Sequence, residues 1–197
     1  MQTSVNNNLE SIFLRTFEIL GPFWLPIKSE FFKSFGIQGE VPVEMLSYFP
    51  MLLRQKYKEI SEKQYFYEVA DFEWALYSVP IDPLREDQFL SFQRGQVPLL
   101  NPVARILRFQ NKVSHWYWSL EEPKDKPVPK PELLIISRNL EQKKVLVFEP
   151  NQHHAMCIDL VTEVGVSLDQ IKEELQQKGI EADRVLEELI ARNIILF

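Results

Sequence analysis

Residues 121–131, Glu-Glu-Pro-Lys-Asp-Lys-Pro-Val-Pro-Lys-Pro, constrain this chain more than any other stretch. Four prolines among charged residues sustain neither a helix nor an inner strand, so the stretch reads as an extended, semi-rigid linker. It divides the chain into an aromatic, helical part over residues 1–120 and a small part over residues 132–197. The expected fold is α+β, with the mainly helical N-terminal part joined by the Pro-rich linker to a small winged-helix-like C-terminal domain with a short antiparallel sheet.

In the N-terminal part, Leu9, Ile12, Phe13, Phe17 and Leu20 recur at helical spacing until Gly21-Pro22 ends the run. Pro26 is expected to separate this helix from a short one that Ser29 caps and Gly36 stops. Residues 42–57 read as helical, with an interruption at Pro50. Ser61-Glu-Lys-Gln64 has the pattern of a capping box, and the helix it opens is expected to run to about Ser78. Along that helix Tyr65, Val69, Phe72 and Leu76 form one apolar stripe, Phe66, Ala70 and Tyr77 form a second, and Glu73 falls between them.

A carboxylate inside an apolar face must be paired or protonated. Arg105 or Arg108 is the expected partner of Glu73, in a structural ion pair. The competing reading of Glu73 is a general base with a raised pKa. Glu68 and Asp71 lie on the opposite edge and read as a solvated face. Residues 103–109 read as a short helix or an extended segment. In the aromatic run 113–118, strand alternation would place Ser114, Trp116 and Trp118 on one side. Large rings of this kind most often pack in a core, and Trp116 and Trp118 are the candidates for a partner interface.

The tail reads as two strands, 133–137 and 143–148, joined by a turn over 138–142. A helix over 152–162 follows, then one opened by the capping box Ser167-Leu-Asp-Gln170 and stopped at Gly179, then one over 181–192 and a short final strand over 194–197. Such an order suits a DNA reader, but the charge does not. Residues 132–197 carry 7 basic and 12 acidic side chains, more than enough to account for most of the net charge of −6. Phosphate backbones are bound by neutralising them, so an acidic tail argues against nucleic acid. A small sheet with an exposed edge can instead accept an extended peptide as an added strand. Leu133, Ile135, Ser137, Val145, Val147 and Phe148 are the side chains expected to line that edge.

His153, His154 and Cys157 form one metal-like cluster, with His153 and Cys157 a helical turn apart. A structural zinc site needs four ligands and a catalytic one at least three, and His115 is remote, so no metal ligand is assigned. A metal hydrolase built on this cluster is the least favoured reading. Neither a P-loop, a G-x-S-x-G nor a G-x-G-x-x-G is present, and no catalytic residue is assigned. The single cysteine excludes an internal disulfide. The N-terminal residues lack a basic region followed by an apolar run, and no stretch reaches the length of a membrane span, so a cytoplasmic location away from membranes is expected.

The motif Val69-Ala-Asp-Phe-Glu-Trp-Ala75, then Asn101-Pro102, an aromatic stretch ending in Trp118, two strands and a helical tail together resemble a known group. These are the HvfC- and BufC-like partner proteins of multinuclear non-haem iron oxidative enzymes, and within them the members of methanobactin biosynthesis. The similarity covers about residues 60–197, while residues 1–60 match poorly. The resemblance implies a heterodimer in which an MbnB-like subunit holds the iron and this chain holds no cofactor. It implies that the complex uses dioxygen to convert precursor-peptide cysteines into oxazolone and thioamide groups. This chain is then expected to bind the leader of the precursor peptide. A winged-helix nucleic-acid binder is the alternative.

Overall fold

The computed structural model describes residues 9–80, 97–119, 126–139, 144–163 and 165–196. The fold is α+β and falls into two compact units. The first joins residues 1–77 to 108–132, and the second joins 78–107 to 133–197. Of the residues that the sequence reading places in the N-terminal part, 97–107 group with the tail.

In the first unit, α1 (Leu9–Ile12) and α2 (Leu14–Leu20) replace the single expected helix. The break falls at Phe13, whose ring is fully buried 4.9 Å from that of Phe49. Trp24 and Phe31 also approach Phe49, each at 5.4 Å, which makes an aromatic centre for this core. Helix α3 spans Trp24–Phe35, so Pro26 lies inside it. In a first turn the N–H that proline lacks would have no intrahelical partner, and Pro26 is accommodated there. Gly36 ends α3 with φ 62°, the left-handed conformation that glycine adopts most easily. Helices α4 (Val43–Leu46) and α5 (Tyr48–Tyr57) follow, with the interruption at Ser47 and Pro50 in the first turn of α5.

Helix α6 spans Tyr65–Ser78, close to expectation, but it is not opened by the expected box. Ser61–Lys63 forms a 3-10 turn, and the Gln64 amide donates to the Lys58 carbonyl at 3.1 Å. Helix α7 (Val113–Trp118) occupies the aromatic run considered as a strand. Of the linker, residues 126–131 are irregular. Val128 accepts the Lys112 N–H at 2.8 Å, and the Lys126 ammonium stands over the Tyr65 ring at 5.9 Å. Residues 126–131 are thus held within the first unit. Residues 121–125 lie outside the described residues.

The described residues form two small sheets. β1 (Leu99–Leu100) pairs antiparallel with β5 (Ile195–Leu196), with Leu99 opposite Leu196. Asn101 staples this pair. Its backbone N–H reaches the Ile194 carbonyl at 2.8 Å, its side-chain amide donates to the Asn193 carbonyl at 2.6 Å, and its side-chain Oδ1 accepts the Val103 N–H at 3.0 Å. The other sheet has the order β2 (Arg105–Phe109), β3 (Glu132–Asn139), β4 (Lys144–Phe148). β3 and β4 are antiparallel, with Ile135 opposite Phe148 and Arg138 opposite Val145. Arg138 thus belongs to the ladder, not to the turn.

Helices α8 (Gln152–Thr162), α9 (Leu168–Gln177) and α10 (Ala182–Ala191) complete the second unit. Their apolar faces bury Cys157, Ile158, Ile171, Leu175, Leu186 and Leu189 with Ile135 and Ile195 in one core. Among the described residues no helix is long and apolar enough to cross a membrane.

Candidate functional site

Among the described residues, the buried charged side chains of the first unit are three glutamates, Glu68, Glu73 and Glu132, each at most 5% exposed. Each acts as a cap for N–H groups far away in sequence. Glu73 accepts the Arg15 N–H at 2.7 Å on Oε1, and the Thr16 N–H at 3.0 Å and Thr16 hydroxyl at 2.6 Å on Oε2. Phe13, at the N-cap of α2, makes no side-chain cap bond, so Glu73 supplies that function from α6. The expected ion pair with Arg105 or Arg108 is therefore not formed. Two backbone donors and a hydroxyl from α2 satisfy the carboxylate instead, because the break at Phe13 frees N–H groups at the start of that helix. Burial pushes the Glu73 pKa up to about 7, against the pull of these three donors. The nearby charge contributes to holding the Tyr117 phenol up at about 12, behind burial itself.

Glu68 corrects the expectation of a solvated face. It accepts the Gln110 N–H at 2.7 Å, the Asn111 N–H at 3.2 Å and the Asn111 side-chain amide at 2.7 Å. Burial raises its pKa despite those bonds. Glu132 accepts the Ser114 N–H at 3.0 Å and the Ser114 hydroxyl, closing the start of α7, where Lys112 provides no side-chain cap. Nothing local marks Glu68, Glu132, Thr16 or Asn111 for these roles, since each depends on a partner 18 or more residues away. These arrangements tie together segments that are distant in sequence.

Helix α7 separates the two tryptophans. Trp116 is buried, whereas Trp118 is 55% exposed beside Phe72 and Tyr117, at 6.3 Å and 5.0 Å between ring centres. A groove of about 670 Å³ in the same unit is lined by Phe35, Tyr48, Met51, Arg54, Lys58 and Asp71, among others. Met51 is 59% exposed there.

The hairpin residues divide between two strands of different standing. Leu133, Ile135 and Ser137 lie on β3, the middle strand, so they border no open edge. Val145, Val147 and Phe148 lie on β4, which ends the sheet among the described residues. Directly opposed residues share a face, so Phe148 sides with Ile135 and Leu146 with Ser137. Val147 and Val145 lie on the other face, opposite Ile136 and Arg138. The Ser137 hydroxyl donates to the Arg192 carbonyl at 3.0 Å, which ties β3 to the end of α10.

The His153, His154 and Cys157 cluster is dispersed. His153 is exposed, and Cys157 is fully buried with its thiol pushed up to about 11 by burial. Both ring nitrogens of His154 are engaged: Nδ1 with the Asn151 N–H at 3.3 Å and Nε2 with Glu188 at 3.1 Å. Among the described residues no group of three His, Cys, Asp or Glu side chains is placed to hold a metal ion. No family model matches the chain, and no curated protein matches it.

Proposed function

We propose that this chain is the non-catalytic partner subunit of an iron-dependent, dioxygen-using enzyme that modifies precursor-peptide cysteines to oxazolone and thioamide groups. The reading is that of an MbnC-like subunit in methanobactin-type maturation, paired as a heterodimer with an MbnB-like subunit that holds the iron. The observation that carries the peptide-binding role is the position of β4 at the end of its sheet. A strand with one hydrogen-bonded neighbour offers its outward N–H and C=O groups to an extended peptide. The leader would lie along β4, with alternate side chains meeting Val145 and Val147 on one face and Leu146 and Phe148 on the other. Leu133, Ile135 and Ser137 then support the sheet from within. Exposed Trp118 and the groove beside Tyr48 and Met51 offer apolar surface for the iron subunit.

The tail runs as two strands, three helices and a strand, and a winged-helix nucleic-acid binder is the second reading. Its charge opposes it. Residues 168–178 hold three acids and two lysines, and residues 181–192 four acids and two arginines. Neither helix suits a phosphate-lined groove.

The test is co-expression with an iron enzyme and a short Cys-containing precursor encoded beside this chain, followed by hydrogen exchange on the purified complex. Co-purification and slowed exchange along 144–148 are expected. Failure to bind either partner sinks the proposal. Duplex binding at low salt, measured by fluorescence anisotropy, would favour the second reading.

A further inference from the structure

Helix α8 begins on a capping box in which one member is an imidazole. The Asn151 side chain accepts the His154 N–H at 3.0 Å, and His154 Nδ1 accepts the Asn151 N–H at 3.3 Å. A ring nitrogen that accepts an N–H carries no proton, so the proton of neutral His154 sits on Nε2 and points at Glu188, 3.1 Å away. The same ring stands edge-on to Phe148, the last residue of β4, at 5.1 Å and 77°. The Arg192 guanidinium covers that phenylalanine at 4.5 Å. One imidazole, 4% exposed, therefore joins the start of α8, the end of β4 and the last turns of α10.

We propose that His154 is a proton-operated cap: neutral, it closes the start of α8 and seats the Phe148 end of β4, and protonated, it opens that junction and weakens capture of a peptide along β4. The clause on peptide capture rests on the reading of β4 as the accepting edge. Protonation puts an N–H on Nδ1 facing the Asn151 N–H, so a hydrogen bond becomes a contact between two donors. The charged groups around the ring are divided. Glu188 favours the imidazolium, while Arg192 and His153 oppose it, and Arg184 engages the other Glu188 oxygen at 3.2 Å.

Burial outweighs Glu188, and the His154 pKa lies below its ordinary 6.5. A histidine held neutral contributes stability that is present above pH 6.5 and is lost as pH falls through the lowered value. The next helix shows the contrasting case. In α9 the corresponding position is Gln170, whose side-chain oxygen accepts the Ser167 N–H at 2.9 Å and does not titrate. His154→Gln therefore keeps a box-forming residue and removes only the proton.

The experiment is amide hydrogen exchange on the full chain between about pH 7.5 and about pH 5, with an NMR titration of the His154 ring. After correction for intrinsic rates, Asn151 protection is expected to fall about tenfold in the native chain and to change less than about twofold in His154→Gln. A synthetic strand of about ten residues alternating valine and lysine should slow exchange along 144–148, and its affinity should fall with pH in the native chain alone. Equal pH dependence in both proteins, or unchanged Asn151 protection while the ring titrates, overturns the cap. Loss of Asn151 protection with no slowing along 144–148 at any pH supports the cap and overturns the β4 reading with its peptide clause.

Discussion

Two helices in each unit close their starts in contrasting ways. In the second unit the donors are met locally, by Asn151 with His154 and by Ser167 with Gln170, each three residues apart. In the first, α2 is capped by Glu73, 57 and 58 residues beyond its donors, and α7 by Glu132, 18 residues beyond Ser114. Local caps operate whether or not the rest of the chain has folded. Remote caps exist only once the core has formed, so they tie helix ends to global cooperativity. Carboxylates in this role must also be taken out of water, which leaves them sensitive to pH in a way that a serine hydroxyl is not.

The comparison can be broken most directly at Glu73. Glu73→Ala leaves three donors without an acceptor and should lower the stability of the chain by about 3–5 kcal/mol in urea unfolding near pH 5. A loss below about 1 kcal/mol would show that water replaces the cap. The pH dependence comes next. Because the folded pKa of Glu73 is raised from 4.5 to about 7, its contribution is fully present below pH 4.5 and is lost as pH rises through about 7. That loss amounts to about 3 kcal/mol, and Glu73→Gln should flatten the slope in a urea series over that range. Glu68→Ala should cost about 2–3 kcal/mol, and exchange at the Gln110 and Asn111 amides should show it first. Ser167→Ala removes a local cap and should cost only about 1 kcal/mol, with increased fraying confined to the first turn of α9. Should Ser167→Ala prove as damaging as Glu73→Ala, the contrast between local and remote capping would collapse.

The elements were legible wherever one stretch of chain carries both the pattern and its stop. Helix α6, the hairpin strands, α9 with its Ser167–Gln170 box, and the stops at Gly36 and Gly179 follow from spacing, capping and glycine at positive φ. The candidate site was legible only in part. Glu73 is marked by the sequence as a carboxylate between apolar stripes, but its partners are backbone N–H groups, which carry no sequence signal. Glu68 looked solvated because helical periodicity puts it on the edge away from the main stripe. Asn111 and the Gln110 backbone cover that edge. Leu133, Ile135 and Ser137 looked like edge residues because strand order is invisible in a hairpin until β2 is seen on its far side.

By itself, then, the amino-acid sequence determined the α+β class, the hairpin, the order of elements in the tail, and the acidic surface of its last two helices. All of these follow from interactions between residues a few positions apart or from simple charge. Only the tertiary structure decided that residues 97–107 join the tail, that β4 and not β3 ends the sheet among the described residues, that Phe13 breaks the first helix, and that glutamates close α2 and α7. Each of those depends on which distant groups meet in a space without water, where an unpaired N–H or carboxylate is too costly to leave alone.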